Sequence, residues 1–455
     1  MTILAQKQQD SVKVYKKRVL NNAEIGLLTS VYTQDGNNAA VTGGMGSEKL
    51  YDIATNINIL IPVKEDNILS IDGTVSAYSS ASSSNLDPFF RTVFNGESKL
   101  TGTPWVESSG ASASDVWGNV NVGGSHYSDS RDDIYKANIH FSSEYDYISF
   151  GSDIGVTKLL NKKNTELSIG ASVFLDTWNP QYPKEIKTYK GDLSSGFFNG
   201  VEVYNDAGLV IDKSSANAWK PLRRDLIKDK NRNTYSLSLS CSQILNRNTQ
   251  VSVFSDITYQ NGWLANPMQR VYFADRNDFY VGNSSEIPNY SNPSSQGVFQ
   301  LADDIERLPS SRLKIPIGIR LNYFVNEFLV VRTYYRYYFD DWGIQSNTFN
   351  VELPIKIGGK FTVYPSYRFY NQTATDYFAP FEKHLSTDKF YTSDYDLSKI
   401  IANQLGMGVK YTDVFLKSIL WNFGLKNITL NYNYYRRNNG IRAHILSLGT
   451  HVIFK

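Results

Sequence analysis

The chain has 455 residues, of which 41% are hydrophobic and 14% are aromatic, and its formal net charge at pH 7 is +2. A charge so close to zero gives no reason to expect a nucleic-acid partner, and the single cysteine, Cys241, excludes an internal disulfide. The five histidines lack the paired spacing of a metal site, and no run approaches the roughly eighteen consecutive apolar residues of a transmembrane helix. We therefore predict neither a cofactor nor a metal.

Residues 1–22 precede the first predicted strand. Met1–Gln6 (MTILAQ) resembles the end of a signal peptide, an apolar stretch followed by a small residue; an artificial start to the sequence is the alternative. Lys7–Asn22 is polar and basic, which is typical of a periplasmic tail or a short helix. We expect export by a signal peptide that is absent from, or truncated in, this sequence.

From residue 23 onward, apolar and polar residues alternate over long stretches. The first strand is predicted at about Ala23–Tyr32, the chain returns through Ile53–Val63, and Leu69–Ala77 carries the next strand. The alternation is clearest in Arg312–Gly358, where it predicts three consecutive strands. A period of two indicates strands whose two faces differ chemically. The runs are about ten residues long, which suits a tilted crossing of a bilayer, whereas strands of soluble sandwiches have about five or six residues.

Short and long connections alternate along the chain. Short polar turns are predicted at 128–133, 161–164, 246–249, 326–327 and 358–360, and long loops at about 79–115, 178–233, 261–311 and 378–399. Bacterial outer-membrane barrels have short periplasmic turns and long extracellular loops. One connection, Thr412–Asn427, is long and apolar for the periplasmic side, and is predicted to hold a short helix or an interfacial anchor.

The predicted fold is all-β: a closed antiparallel transmembrane β-barrel of about sixteen up-and-down strands, with both termini periplasmic. Residues 23–455 form this single domain. A soluble propeller would show a repeat of about forty to fifty residues, and a sandwich would show shorter strands; neither pattern is present. The predicted location is the outer membrane of a Gram-negative bacterium.

The apolar positions of the alternation predict the surface that faces lipid. The residues predicted to face lipid and lipopolysaccharide include Ile315, Ile317, Ile319, Val351, Leu353 and Ile355. The last strand, Ile441–Phe454, ends in an aromatic residue. A terminal Phe454 resembles the signal that barrel-insertion machinery recognises, so this machinery is an expected partner.

The opposite positions predict the residues that line the lumen, and their charges are unevenly distributed. Inward acids of the first part of the chain are Glu24, Asp72, Asp153, Glu166, Asp176 and Asp256. Inward bases of the later part are Arg320, Arg332, Arg336, Lys356, Arg368, Lys410 and Arg437. Because consecutive strands are neighbours in an up-and-down barrel, this order predicts an acidic wall opposite a basic wall. Salt bridges that merely fill the interior are the alternative.

Residues that could carry chemistry do not converge. His444 is predicted to face outward and His451 inward, and His140 is better interpreted as a solvated lumen residue than as a catalytic one. Asp340–Gly343 (DDWG) contains two adjacent carboxylates, which make an incomplete calcium site, so a polar turn is favoured. We predict no catalytic residue and no enzymatic activity.

Several segments resemble a known family. Thr29–Gly44, Ser76–Asn85, Ser108–Trp117, Leu175–Pro183 and Tyr337–Pro354 resemble outer-membrane barrels of a domain-of-unknown-function family common in Bacteroidota. The resemblance implies the location and the fold, but no established activity. Members of such families can be associated with extracytoplasmic flavin-transfer and redox systems, although no residue here is predicted to bind flavin.

Two functional hypotheses follow, with an enzyme as a weaker third. The first is a channel or uptake pore for small polar solutes with a charge-polarised lumen, because about sixteen strands enclose an aqueous lumen unless it is plugged. The second is a non-conducting structural or assembly partner for other outer-membrane or periplasmic proteins. At least one long loop is expected to carry its own structure and to cover or enter the mouth.

Overall fold

The computed structural model describes residues 17–80, 91–94, 97–100, 114–179, 228–275, 304–385 and 387–454. Residues 1–16 and most of the predicted loops 79–115, 178–233 and 261–311 lie outside the described residues. The barrel strands are β1 (Glu24–Asn37), β2 (Ser47–Val63), β3 (Asn67–Ser80), β4 (Ser114–Tyr127), β5 (Asp133–Ser143), β6 (Tyr147–Leu160), β7 (Thr165–Trp178), β8 (Lys230–Asn246), β9 (Thr249–Gly262), β10 (Ser311–Asn326), β11 (Leu329–Asp340), β12 (Gln345–Glu352 and Ile355–Ile357), β13 (Phe361–Gln372), β14 (Ile400–Thr412), β15 (Phe423–Arg437) and β16 (Arg442–Phe454).

These strands form one closed antiparallel sheet. Each strand pairs with its neighbours in the chain, and β16 pairs with β1 from Glu24↔Ile453 to Asp35↔Arg442. The predicted closed barrel of sixteen strands is confirmed. Among the described residues, no helix is long and apolar enough to cross a membrane.

The two ends of the barrel are distinguished by the connections between strands that lie there. We call the end with the connections 64–66, 128–132, 161–164, 247–248, 327–328, 358–360 and 413–422 the turn end, and the opposite end the loop end. The beginning of β1 and the end of β16 lie at the turn end, where the Asn22 side chain donates to the Phe454 carbonyl at 2.9 Å. This shared end is the consequence of an even number of strands.

Two short strand pairs, Arg91–Phe94 with Glu97–Leu100 and Arg270–Val271 with Asp304–Ile305, lie outside the barrel sheet.

The outer surface of the barrel is a belt of exposed apolar side chains. In β10, Ile317 is 47% exposed and Ile319 is 42% exposed, whereas Gly318 between them is buried. Ile315, Val351, Leu353 and Ile355 are partly exposed. A belt of large apolar residues is unfavourable in water and is the surface that a bilayer requires.

Pro354 divides β12, which the alternation had predicted as one continuous strand. The strand is paired through Glu352, is interrupted, and resumes at Ile355. Proline has no N–H to donate to the ladder, and this explains the break. The Pro354 carbonyl still accepts from Val330 at 3.1 Å, so the second half of β12 remains attached to β11.

The apolar segment 412–427 is not a helix. Ile419–Leu420 forms a short strand with Phe423–Gly424 at the turn end, and the Asp413 carboxylate accepts the Ser418 N–H at 2.7 Å. This hydrogen bond and others from backbone N–H groups lower the pKa of Asp413. Trp421 is 84% exposed beside the belt, and tryptophan is enriched at membrane interfaces. The predicted helix is therefore wrong, and an interfacial anchor stays a prediction.

Replacing Ile317 with Arg should destabilise the barrel by about 2–4 kcal/mol, because the charge would enter the hydrocarbon region. The matched control is Asn322→Arg, which adds the same charge on the opposite face of the same strand and should cost much less. Reversible urea unfolding in lipid vesicles measures both free energies. Equal costs for the two variants would show that the two faces are assigned incorrectly.

Candidate functional site

The lumen is lined by the residues that alternate with the apolar belt. On β3 and β4, Ile71 and Val120 belong to the belt, and Asp72, Asn119 and Asn121 lie on the opposite face. Side chains on this face reach across neighbouring strands and bond to one another, as the alternation of faces requires.

Asp72 is the centre of an asparagine cluster on the inner wall. Its carboxylate accepts from the Asn56 side chain at 3.1 and 3.2 Å, from Asn58 at 3.4 Å and from Asn121 at 3.3 Å. Amide donors from β2 and β4 thus hold a carboxylate on β3. The signal for this cluster was present in the sequence, since every member occupies an inward position of the alternation.

His140 extends this cluster to Asp153. Its Nε2 lies 2.5 Å from an Asp153 oxygen and its Nδ1 lies 2.7 Å from the Asn121 side-chain oxygen. The Asn138 amide also donates to Asp153 at 2.8 Å. Among the described residues no hydroxyl or thiol is hydrogen-bonded to His140, so this His–Asp pair has no nucleophile to activate.

Glu24 lies at the junction where the barrel closes. Its carboxylate accepts from Lys426 at 3.0 Å and is 3.0 Å from the His451 Nε2. His444, on the same strand as His451, instead contacts the exposed Tyr432 hydroxyl at 2.7 Å. The two histidines therefore point to opposite sides of the wall.

The other three acids predicted for the lumen differ in their surroundings. Asp176 is 6% exposed and is hydrogen-bonded with Tyr147. Glu166 and Asp256 are exposed. Within the described part of the chain, the side chains of Glu166 and Asp256 form no hydrogen bond or ion pair.

On the other half of the barrel, the predicted bases are held by rings and by one carboxylate. The Arg320 guanidinium lies 4.9 Å from the centre of the Phe254 ring and 5.6 Å from that of Tyr334. Arg332 is paired with Glu352 at 2.9 Å on the neighbouring strand. This pair borders a cavity of about 450 Å³ that also contains Lys410.

Three further arginines share a larger cavity nearer the loop end. Arg336, Arg368 and Arg437 line a cavity of about 510 Å³ on the inner wall of β11, β13 and β15. Lys356, by contrast, is exposed in the short second half of β12 at the turn end. The structure therefore places the three arginines around one cavity, whereas Lys356 lies away from it.

The Asp340–Gly343 tip forms a turn. The Asp340 carboxylate accepts the N–H groups of Trp342 at 3.0 Å and Ile344 at 2.9 Å, and it is paired with Arg312 at 2.5 Å. Gly343 has a φ of +86°, a conformation that L residues rarely adopt. In the part of the chain that the structure describes, no group of three or more His, Cys, Asp or Glu side chains is arranged to hold a metal ion.

The described parts of the long loops pack into a small buried core at the loop end, which we call the cap (residues 38–46, 263–275, 304–310, 373–385 and 387–399). Val271, Phe273 and Tyr391 form its apolar cluster, and the Phe273 and Tyr391 rings meet edge to face at 5.1 Å. Tyr272 is fully buried against Gly43, whose φ is +70°. A Cβ on Gly43 would lie 2.5 Å from the Tyr272 ring, so this packing requires glycine.

The cap encloses a carboxyl group with a raised pKa. Glu306 is 2% exposed; the Asn266 N–H donates to it at 2.8 Å and the Thr392 hydroxyl at 2.5 Å. Burial, and secondarily the nearby charge of Asp394, raises the pKa of Glu306 to about 8. Burial and the charge of Asp396 raise the pKa of Asp394 to about 6, although Gln269 donates a hydrogen bond to it.

The cap also reaches the inner wall. Asp396, in a short turn at Tyr395–Leu397, forms an ion pair with Arg437 on β15. The sequence predicted a structured loop over the mouth, but it gave no reason to choose Asp396 or Glu306. Neither residue belongs to an alternating strand, and their partners are between 40 and 90 residues away in the chain.

The Glu306 carboxyl should make the cap less stable as the pH rises. Its pKa is about 8 in the closed cap and about 4.5 when exposed, so the closed cap retains a proton that the opened cap loses between these values. The contribution of Glu306 to the stability of the closed cap is therefore fully present below pH 4.5 and is lost as the pH rises towards 8. Glu306→Gln, a neutral mimic of the protonated group, should remove most of this dependence.

Hydrogen-exchange protection factors of the amides in 269–273 and 391–394, measured at pH 5.5 and pH 8, test this expectation. The control variant is Glu327→Gln at the turn end, which should behave as the unmodified protein does. The same pH dependence in Glu306→Gln as in the unmodified protein would contradict the assignment.

Comparison with known proteins identifies one family. Residues 103–451 match the family described as "Protein of unknown function (DUF3570)". A comparison with curated proteins finds no significant match.

Solved outer-membrane barrels show a general likeness along the whole chain. A bacterial polysaccharide outer membrane secretin is 10% identical, with a TM-score of 0.39 over 96% of this chain and 98% of that chain. A BenF-like porin from Pseudomonas fluorescens Pf-5 is 8% identical, with a TM-score of 0.38 over 95% of this chain and 98% of that chain. The deltaS2 mutant of the TodX monoaromatic hydrocarbon channel is 10% identical, with a TM-score of 0.38 over 96% and 90%. Likenesses of this strength identify no function for this chain.

The family match covers more than half of the chain and agrees with the resemblance found in the sequence. The protein, a closed sixteen-stranded β-barrel with an apolar outer belt, belongs to the DUF3570 family of proteins of unknown function.

Proposed function

We propose that the protein is a channel through which small polar solutes cross the outer membrane, with an acidic wall facing a basic wall across the lumen. The strongest support is the position of the buried apolar side chains. All buried apolar side chains of the described residues lie at the loop end: in the cap, in the short connections 341–344 and 438–441, or in the loop-end portions of strands. The middle of the described barrel therefore has no apolar core, and water can occupy it.

The composition of the lumen supports polar rather than apolar cargo. The acids Asp72 and Asp153 lie on β3 and β6, and the bases Arg320 and Arg336 lie on β10 and β11. Because strand order around the barrel follows chain order, these groups occupy different halves of the wall. Low-dielectric walls focus the field between such groups, which orients dipolar solutes and disfavours apolar ones.

Salt bridges account for only part of this charge. Arg332 is neutralised by Glu352 and Glu24 by Lys426, but both of these pairs are local. In the described part of the chain no ion pair joins an acid of β1–β9 to a base of β10–β14. Charges that merely filled the interior would be expected to pair across it.

Single-channel recording in a planar bilayer tests the proposal. We expect steady ohmic conductance in potassium chloride from the purified protein. A correctly folded but silent barrel would contradict the channel, and would indicate a non-conducting partner of other outer-membrane or periplasmic proteins.

Neutralising the basic wall should change the selectivity of the channel. In the variant with Arg320, Arg332, Arg336 and Arg368 all replaced by Gln, the acidic wall remains, so the reversal potential in a salt gradient should shift towards cation selectivity. The matched control replaces Lys64, Lys162, Lys163 and Lys360 by Gln, which removes the same net charge from turns at the turn end. An equal shift in both variants would contradict a selective lumen wall.

A further inference from the structure

The cavity of about 510 Å³ beneath the cap concentrates arginines at one level of the lumen. The strand register aligns Arg336 with Thr348, Thr348 with Tyr370, Tyr370 with Ala402, and Ala402 with Arg437. Arg368 lies two residues from Tyr370 on β13 and therefore faces the same side. Three guanidinium groups thus border a space of the size that holds a small ligand.

The charge of this cavity is only partly neutralised. Within the described residues, Asp396 is the single ion-pair partner of the three arginines, and it pairs with Arg437. In the same part of the chain, Arg336 and Arg368 have no carboxylate within ion-pair distance. Among the described residues, the buried Arg336 Nε has no hydrogen-bond partner. An anion in the cavity would neutralise the charge that Arg336 and Arg368 leave unpaired.

Asp396 reaches this wall from the cap and not from a strand. It belongs to the short turn Tyr395–Leu397, and its backbone N–H donates to the Asp394 carboxylate at 2.8 Å. The Asp396 side chain is 63% exposed although it is paired with Arg437. An ion pair that water reaches so easily contributes little to stability. It is therefore a contact that another carboxylate can replace.

We propose that this arginine pocket binds the carboxylate of a small anionic solute, and that Asp396 occupies one of its guanidinium positions until the solute displaces it. The planar fork of arginine binds a carboxylate through two parallel hydrogen bonds, which makes it the fitting residue for this task. The Gln404 amide also lines the cavity; it donates one hydrogen to Asn433 at 3.0 Å and has a second hydrogen to donate.

The inference deepens the proposed channel and rests on it, because a solute reaches this wall only through an open lumen. Two further acids, Glu48 and Asp394, approach the Arg437–Asp396 pair. They lie on the cap side of the cavity, so Arg336 and Arg368 remain its most electropositive part. Release of Asp396 removes one ion pair between the cap and β15, while Gln372 on β13 still donates to the Asp396 and Ser398 carbonyls at 2.9 and 2.7 Å.

Isothermal titration of the purified full-length protein with sodium succinate at pH 7.5, in constant sodium chloride, tests the pocket. Asp396→Asn removes the internal competitor and should tighten succinate binding by about fivefold, the change expected when one exposed ion pair no longer has to be broken. The double variant Arg336→Gln with Arg368→Gln should lose binding. Glu382→Gln, in the same loop as Asp396 and outside the cavity, should bind as the unmodified protein does.

Folding of each variant is checked by its heat-modifiable mobility on a gel. If the double Gln variant does not fold, the variant Arg336→Lys with Arg368→Lys is used instead. It retains the positive charges but not the planar guanidinium groups, and should bind more weakly than the unmodified protein. Unchanged affinity in Asp396→Asn, or in a folded arginine variant, overturns the inference.

The same protein in a planar bilayer separates the two proposals. Ohmic current in sodium chloride without succinate binding overturns the pocket and leaves the channel. Succinate binding to a barrel that conducts no ions overturns the channel and leaves the pocket as a binding site.

Discussion

Backbone hydrogen bonding in the absence of water is the constraint on which the rest of this structure depends. In hydrocarbon an unpaired N–H or C=O group costs several kcal/mol, so a membrane-spanning sheet cannot have an open edge. The sheet therefore closes, and β16 pairs with β1 over twelve residues. Where Pro354 interrupts a ladder, its carbonyl is still used by Val330. The break at Pro354 therefore also obeys the constraint.

Closure then determines the chemistry of the inner wall. Sixteen strands enclose a space that side chains alone do not fill, so the inner positions have no apolar core to contribute to. They carry groups that water and neighbouring strands can satisfy, such as the Asp72 cluster, the His140–Asp153 pair and the Arg332–Glu352 pair. These contacts join adjacent strands and do not extend across the lumen. The wall is thus stiffened by the same residues that make it polar.

The sequence was sufficient to predict the barrel because the alternation is local information. Ile317 and Ile319 are exposed on one face and Arg320 lies on the other, as a period of two requires. The number of strands followed from counting turns. The break at Pro354 was in principle visible from the missing N–H, but the apolar residues on both sides of it concealed the interruption.

The contacts between strands and loops could not be predicted in the same way. Whether Arg332 meets Glu352 depends on the register of β11 against β12, and a shift of one residue would place them on different faces. The cap depends on contacts such as Glu306 with Thr392, which join loops far apart in the chain. No periodic pattern marks such residues, because loops have no repeating geometry.

The barrel and the cap are stabilised by different interactions, and this difference decides which of them moves. The barrel is held by continuous ladders of hydrogen bonds that lipid protects from water. The cap is held by a small cluster around Val271, a few bonds between loops, and a buried carboxyl group at Glu306 that opposes burial when it ionises. Regions with few buried apolar contacts open at the lowest free energy. Since Asp396 is carried by the cap, its side chain can separate from Arg437 without a change in the shape of the barrel.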